Sequence, residues 1–138
     1  MENDNDSSEE DHEAWVNEDR ERRADLVELC RTAYCSLAAL VLWEHLGRKA
    51  ELWGLKGVGP YAHFFLMNDG RALDIAGYCS LEEMKRIYPD QIHEAERVSY
   101  RQVKRMCDDA ANPRELSIVE DRILDHLKAH PEIFGAEV

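Results

Sequence analysis

The sequence predicts an α+β domain, and three observations support that prediction. Apolar residues recur at helical spacing over residues 24–46. Three short apolar runs separated by glycine-containing turns follow over residues 50–75 and predict an antiparallel meander. Two capping signatures and an Asn-Pro pair then predict helices within residues 81–129. We therefore expect a small antiparallel sheet of three to four strands, with an N-terminal helix run and two C-terminal helices packed around it.

The N-terminal helical run leaves two interpretations open. Its second half is apolar on nearly every face, and Gly47 supplies the stop that commonly follows a helix end. No Pro or Gly interrupts the run, so one long helix is compatible with it. Two helices that meet near residues 32–34, the second beginning at Cys35, are also compatible. Helix propensity does not decide between them, because only the tertiary fold would impose such a break.

Turn residues delimit each strand of the expected meander. Asn68-Asp69-Gly70 is typical of a hairpin turn whose central residues take positive φ. A loop with two glycines and a proline, residues 56–60, precedes the second strand. A further extended segment is interpreted as a fourth strand or edge. The expected strands cover residues 50–55, 61–67, 71–75 and 92–98.

The second half of the chain carries clear signals for helix starts. Ser80 with Glu83, and Ser99 with Gln102, form the Ser-x-x-Glu/Gln pattern of a capping box. Asn112-Pro113 is typical of an N-cap followed by proline at the first helical position. The expected helices cover residues 81–87, 100–109 and 113–129, the last ending before Pro131.

The charge of the chain is strongly negative and concentrated at its start. The formal net charge is −12 over 138 residues, of which residues 1–23 contribute −7. Direct nucleic-acid binding is not expected, because it depends on Lys and Arg neutralising phosphates. No apolar run approaches the roughly 20 residues that a membrane span needs, and the acidic start does not resemble a secretory leader. We expect a cytoplasmic protein with an acidic disordered tail over residues 1–13 and a single domain over residues 14–138.

The cysteines do not form a pattern that predicts disulfides or a metal site. They lie at positions 30, 35, 79 and 107, and no Cys-x-x-Cys pair occurs. In a cytoplasmic protein disulfides are not the default, and no histidine cluster lies near a cysteine in sequence to complete a zinc site. We expect no metal and no cofactor. Most of these cysteines are interpreted as small buried apolar groups, with one candidate for chemistry.

That candidate is Cys35, considered together with His63 and Asp74. Cys35 lies near a possible helix start, His63 lies in an otherwise apolar strand, and Asp74 lies on the strand that the hairpin folds back beside it. Because side chains alternate faces along a strand, a same-face diagonal pair of His63 and Asp74 is allowed. A helix N-terminus and an imidazolium both favour the thiolate form of a cysteine, and a carboxylate fixes the imidazole tautomer. The pattern predicts a nucleophile with its base and orienting acid.

Residues near the glycine-rich loop are candidates for substrate binding. Gly57 and Gly59 are interpreted as permitting a mobile flap over a cleft. Trp53 on the neighbouring strand is expected either to line that cleft or to pack in the core, and Tyr61 is expected to contact substrate at the start of the next strand.

Three segments of the chain carry a resemblance to a known superfamily: AYCSLAALVLWEHLG, AELWGL and YAHFFLMNDGRALDIAGYCSLEEM. Together they resemble the papain-like and transglutaminase-like cysteine hydrolases, in particular small bacterial and phage members. The resemblance implies a papain-like domain in which Cys35 is the nucleophile, His63 the general base and Asp74 the orienting acid. It implies a thiol-dependent hydrolase or acyl-transfer reaction on an amide, a peptide or a glutamine side chain. With no Gln or Asn shortly upstream of Cys35, backbone N–H groups at the helix start would stabilise the oxyanion.

A second interpretation is a non-enzymatic acidic interaction protein. Dense carboxylates imitate nucleic acid, so a small protein with a net charge of −12 is typical of an inhibitor that occupies a basic groove on a nucleic-acid-handling partner. An inactive papain-like scaffold, borne by a phage or plasmid, would combine both interpretations. In either case the expected partner is a protein or peptide, with no direct contact to nucleic acid or membrane.

Overall fold

The computed structural model describes residues 24–57, 61–88 and 94–134, and it is built around a five-stranded antiparallel sheet. The strand order is β4-β3-β2-β1-β5, so a four-stranded meander is extended by β5 beside β1. Helices lie on both sides of the sheet, which confirms the predicted α+β class. The expected tail at residues 1–13 and the first ten residues of the expected domain, 14–23, lie outside the described part of the chain.

The strands and helices have the following bounds. The strands are β1 (Glu51–Lys56), β2 (Tyr61–Asn68), β3 (Arg71–Asp74), β4 (Gly77–Cys79) and β5 (Glu94–Arg97). The helices are α1 (Ala24–Thr32), α2 (Cys35–His45), α3 (Leu81–Lys85), α4 (Tyr100–Ala110), α5 (Pro113–Ala129) and α6 (Pro131–Phe134).

The N-terminal helical run is broken, and the second helix begins at Cys35. The axes of α1 and α2 are bent by 110°. The amides of Ala33 and Tyr34 both donate to the carbonyl of Leu29, which closes α1, and Tyr34 leaves helical geometry with φ −122° and ψ 29°. The hydroxyl of Tyr88 also donates to the carbonyl of Arg31 at the end of α1. The structure therefore has the two-helix arrangement, and the contact from Tyr88, 57 residues along the chain, is one that no local signal encodes.

The hairpin between β2 and β3 forms as its turn residues predict. Asp69 and Gly70 both take positive φ, at 54° and 79°, and the register pairs Leu66 with Leu73. The chain then turns again and adds β4, which the sequence analysis missed because it ended the meander at Gly77. Gly77 has a φ of 115°, and a Cβ there would lie 3.0 Å from the side chain of Ile133. The sharp second turn and the close approach of α6 thus explain why position 77 is occupied by glycine.

Smaller differences from the sequence prediction lie at element ends. The helix after Ser80 ends at Lys85, and the expected fourth strand is present as Glu94–Arg97, while residues 92 and 93 lie outside the described part. The last expected helix, residues 113–129, forms with its predicted bounds as α5, and Pro131 then begins the short α6, which was not expected. Both capping boxes and the Asn112 cap form as predicted.

The sheet separates two apolar clusters of unequal size. The larger cluster, on the α2 side, contains the buried faces of α2, α4 and α5 together with Phe64, Leu66 and Leu73 of the sheet. The smaller cluster, on the α3 side, is built from Leu55, Phe65, Ala72 and Met84. In the described part of the chain no single helix is long and apolar enough to cross a membrane, although the bent pair α1 and α2 has the length and composition to do so.

Candidate active site

Cys35 occupies the first position of α2, with Tyr34 as its N-cap. No side chain in the described residues caps this helix, whereas α3, α4 and α5 are capped by Ser80, Ser99 and Asn112. The first amides of α2 are therefore not engaged by a capping side chain, and the positive end of the helix dipole lies at the thiol. Cys35 is a free, half-buried cysteine.

His63 lies on β2, on the α3 side of the sheet, and is only 1% exposed. Its ring stacks on Phe65 with centroids 6.2 Å apart and meets the edge of Tyr88 at 5.9 Å. On one side Leu55 of β1 is its strand partner. On the other side β3 pairs with β2 only at residues 66–68, so the half of β2 that carries His63 has no strand neighbour there among the described residues. This gap in the ladder admits side chains from other elements.

Asp74 is the last residue of β3 and is 3% exposed. Its Oδ2 lies 3.1 Å from Nε2 of His63 and also accepts a hydrogen bond from Nε of Arg31 at 2.8 Å. Its Oδ1 accepts from Nη2 of Arg31 at 3.2 Å and from the backbone amide of Ala76 at 2.9 Å. The buried carboxylate is thus satisfied by four donors, as a buried charge requires.

The register of the hairpin places His63 and Asp74 as the sequence analysis expected. The ladder ends where Leu66 pairs with Leu73, and extending that register by one position sets Phe65 opposite Asp74. His63 is two residues further along the same face and reaches Asp74 diagonally. His63 and Asp74 thus form the same-face pair that strand alternation allows.

The electrostatics of the pair favour an ionised carboxylate and a basic imidazole. Burial alone would raise the pKa of Asp74, but hydrogen bonds from His63 and Arg31, together with their charges, hold it below its ordinary value. Burial alone would lower the pKa of His63, but the hydrogen bond to Asp74, the interaction with Cys35 and the negative charge that each carries when ionised raise it above 6.5. An ionised Asp74 accepts the proton on Nε2, which leaves Nδ1 of the neutral ring as a lone-pair acceptor.

The thiol of Cys35 is the group whose proton Nδ1 of His63 could accept. Nδ1 of His63 is buried and has no hydrogen bond of normal geometry within the described residues. The interaction of Cys35 with His63 nevertheless contributes to the raised pKa of the imidazole. The structure thus brings His63 and Asp74 into direct contact and places Cys35, whose interaction with His63 raises the pKa of the imidazole, at the start of α2.

Arg31 and Tyr88 complete the surroundings of this site, and the sequence analysis identified neither. Arg31 lies on α1, and only the bend between α1 and α2 brings it to Asp74. Tyr88 follows α3, and burial raises the pKa of its phenol to about 12. Burial also raises the pKa of the neighbouring Cys30 to about 12, so both groups are neutral at physiological pH. No sequence motif marks Arg31 or Tyr88, because their roles depend on the fold.

Two of the predicted substrate-binding residues, Trp53 and Tyr61, lie on opposite faces of the sheet. Trp53 is on the same sheet face as His63, opposite Phe65, and its indole N–H donates to Glu51 at 3.0 Å. Tyr61 packs on the α2 side against Phe64, and its hydroxyl donates to Glu96 at 2.6 Å.

Tyr61 therefore faces away from His63, because the β1–β2 register shifts at residues 55 and 56. Its expected contact with substrate is not supported by this position. Gly57 follows β1 directly, and Gly59 lies outside the described residues.

A cleft of about 700 Å³ adjoins the carboxylate end of the site. Arg31, Ala76 and Tyr88, which contact Asp74 or His63, form part of its wall, while Val27 and Ile87 supply apolar surface. Cys35 is not part of the wall. Within the described ranges no group of three or more His, Cys, Asp or Glu side chains is arranged to hold a metal ion.

Comparison with known proteins gives no match: no protein-family model, curated protein or solved structure matches the chain. The papain-like resemblance therefore stays a prediction from the sequence.

Proposed function

We propose that this protein is a small cysteine hydrolase or acyl-transfer enzyme that acts on an amide, a peptide or a glutamine side chain. The observation that carries the proposal is the bridging position of His63, which is bonded to a buried, ionised Asp74 through Nε2 and has Nδ1 left for the thiol of Cys35. A lone structural histidine does not need a thiol at a helix start on one side and a buried carboxylate on the other.

The first step is attack of Cys35 on the substrate carbonyl. Its thiol proton passes to Nδ1 of His63, and the sulfur forms a bond to the carbonyl carbon. When the tetrahedral intermediate collapses, the C–N bond breaks and the proton on Nδ1 passes to the departing amine. Asp74 stays ionised throughout and stabilises the imidazolium.

The second step resolves the thioester. Water or an amine attacks the carbonyl carbon, and His63 takes the proton that the attacking group loses. The C–S bond then breaks and the thiolate recovers that proton through His63, so the enzyme returns to its starting state. Water gives hydrolysis, and an amine gives acyl transfer.

The start of α2 supplies donors for the developing oxyanion. The amides of the first turn lie next to the nucleophile and are not engaged by a capping side chain in the described residues. Backbone donors fixed in this way stabilise negative charge on the carbonyl oxygen without reorganisation. Papain-like and transglutaminase-like hydrolases, which the sequence resembles, combine the same chemical groups.

The experiment that tests this proposal is alkylation by iodoacetamide across pH 5–9, with each cysteine quantified by peptide mass spectrometry. We expect Cys35 to react at pH 6 at least about tenfold faster than Cys79, because a neighbouring imidazolium stabilises the thiolate. Cys79 is the internal control, since it is also half-buried and burial raises its pKa. The advantage of Cys35 should disappear in His63→Gln.

Two results would contradict the proposal. One is a folded wild-type protein in which all four cysteines react only after unfolding. The other is a Cys35 reaction at pH 6 that is as fast in His63→Gln as in the wild type. The acidic-inhibitor interpretation stays a prediction from composition, because most of the excess negative charge lies in residues 1–23, outside the described part.

A further inference from the structure

Arg31 makes a two-pronged contact with the carboxylate that orients His63. Nε of Arg31 donates to Oδ2 of Asp74 at 2.8 Å, and Nη2 donates to Oδ1 at 3.2 Å. The same Oδ2 lies 3.1 Å from Nε2 of His63, so one oxygen serves both the guanidinium and the imidazole. The Arg31 side chain is 28% exposed, whereas that of Asp74 is 4% exposed. A guanidinium that donates to both oxygens of a carboxylate fixes the orientation of that carboxylate and also stabilises its negative charge.

We propose that Arg31 is a positioning residue of the proposed enzyme: it fixes the Asp74 oxygen that faces His63 and, by sharing that oxygen, limits the proton affinity of the imidazole. This inference rests on the proposed function, because limited proton affinity matters only if His63 must give its proton away. A general acid works best when it releases its proton near the working pH. An imidazolium held by an unshared buried carboxylate would keep its proton too firmly.

The physical basis is competition for one negative charge. A buried carboxylate that faces only an imidazolium stabilises the protonated ring strongly, because the low-dielectric surroundings screen the attraction poorly. A guanidinium on the same oxygen neutralises part of that charge and repels the imidazolium. Replacing Arg31 by a neutral side chain therefore leaves more of the Asp74 charge to His63, and the ring should hold its proton to a higher pH.

In the described elements, Glu28 on α1 lines the same cleft as Arg31, and the other titratable groups beside the pair are thiols and a phenol. Cys30 on α1 and Tyr88 after α3 are neutral at physiological pH. Cys35 on α2 interacts with His63, and Cys79 on β4 is a thiol whose pKa burial raises.

Two more distant charges act on these thiols and are not among the causes of the pKa shifts of His63 and Asp74. Arg122 on α5 acts on Cys30, and Glu83 on α3 acts on Cys79. Arg31 is thus the permanent charge that is hydrogen-bonded to Asp74.

The test is a nuclear magnetic resonance titration of the His63 ring in a Cys35→Ser background, which removes the coupled thiol. In Arg31→Met we expect the midpoint of His63 to rise by about one pH unit. In Arg31→Lys, which keeps the charge but loses the fork, we expect a smaller rise. Arg48→Met is the matched control, since Arg48 pairs with Glu44 at the surface. The titration midpoint of His63 in this variant should equal that in the Cys35→Ser background protein.

The outcomes separate this inference from the proposed function. An unchanged or lowered midpoint in folded Arg31→Met overturns the role of Arg31. If that variant does not fold, as judged by its amide spectrum, an unchanged or lowered midpoint in Arg31→Lys does the same. Because the titration reads His63 directly, it does not depend on whether Cys35 reacts. Slow alkylation of Cys35 in the wild type would instead count against the proposed function as a cysteine hydrolase or acyl-transfer enzyme.

Discussion

At the scale of single residues, Asp74 is the group on which the site depends most. A lone carboxylate would not stay ionised at 3% exposure, because burial disfavours its charged form. The donors from Arg31, His63 and Ala76 compensate for that burial. The same contacts hold its oxygens at fixed positions, so stability and proposed function share one set of hydrogen bonds.

Asp74→Asn should destabilise the fold in a pH-dependent way. Removing the charge leaves His63 and Arg31 without a counter-ion, and we expect a loss of about 2 to 4 kcal/mol near pH 5 to 6. The lowered pKa of Asp74 gives stability that is present above its unfolded value of 3.8 and is lost as pH falls through the folded value. The raised pKa of His63 gives stability that is present below 6.5 and is lost as pH rises through the folded value.

Urea denaturation of both proteins at several pH values measures this difference. The gap between wild type and Asp74→Asn should be widest between pH 3.8 and 6.5 and should narrow on both sides. Glu44→Gln removes a carboxylate from an exposed pair with Arg48 and should change stability by less than about 1 kcal/mol. A gap that is constant with pH would show that Asp74 and His63 are not coupled in the folded state.

At the scale of secondary structure, Gly54 shows how side-chain packing restricts a strand. A Cβ at this position of β1 would lie 2.7 Å and 3.0 Å from ring atoms of Tyr61 and 3.3 Å from Phe64. Tyr61 is itself held by its hydrogen bond to Glu96 on the neighbouring edge strand, so its ring does not move without loss. The glycine therefore allows the ring to lie flat over the sheet.

Gly54→Ala should cost about 1 to 3 kcal/mol through this overlap. In the double variant with Tyr61→Ala the overlap is gone, and the alanine at position 54 should cost less than in the wild type. Gly70→Ala is the matched control: Gly70 has a φ of +79°, and a Cβ there would meet nothing within 4 Å. Its cost is backbone strain alone and should not change with Tyr61→Ala. If the losses in the free energy of unfolding caused by Gly54→Ala and by Tyr61→Ala simply added in the double variant, the proposed overlap between position 54 and the Tyr61 ring would be contradicted.

The elements also show how far local sequence reasoning reaches. The hairpin turn and the three polar caps were predicted because each signal lies within four residues of the structure it forms. The break before Cys35 remained undecided, since one of the contacts that close α1 comes from Tyr88, 57 residues from Arg31. His63 and Asp74 were identified from their residue types and their places on two strands joined by a hairpin, but Arg31 was not, because a 110° bend brings it to the site.

At the scale of the whole molecule, the proposed site lies at the edge between the two apolar clusters. Cys35 belongs to the large α2-side cluster, whereas His63 stacks on Phe65 of the smaller α3-side cluster. The thiol and the imidazole are thus anchored in different parts of the core. Preorganisation of the site therefore depends on the global fold, not on one loop.

The C-terminal end of the described chain belongs to this global fold. Phe134 is fully buried although it lies on the four-residue α6, and its ring meets that of His126 at 5.4 Å. His126 in turn lies 3.3 Å from the carbonyl oxygen of Ile75, directly after Asp74. Packing of α6 is therefore connected to the turn that holds the carboxylate.

Phe134→Ala should consequently destabilise the whole domain by about 3 to 5 kcal/mol, as expected for a cavity in a closed core. Urea denaturation followed by tryptophan fluorescence and by alkylation of Cys30, which is 1% exposed, should give coincident transitions at lower urea than in the wild type. Ile118→Ala on the exposed face of α5, where the side chain is 54% exposed, should change stability by less than about 0.5 kcal/mol. If Phe134→Ala lost no more than Ile118→Ala, α6 would be a peripheral segment, and its connection to the Asp74 turn would carry no stabilising free energy.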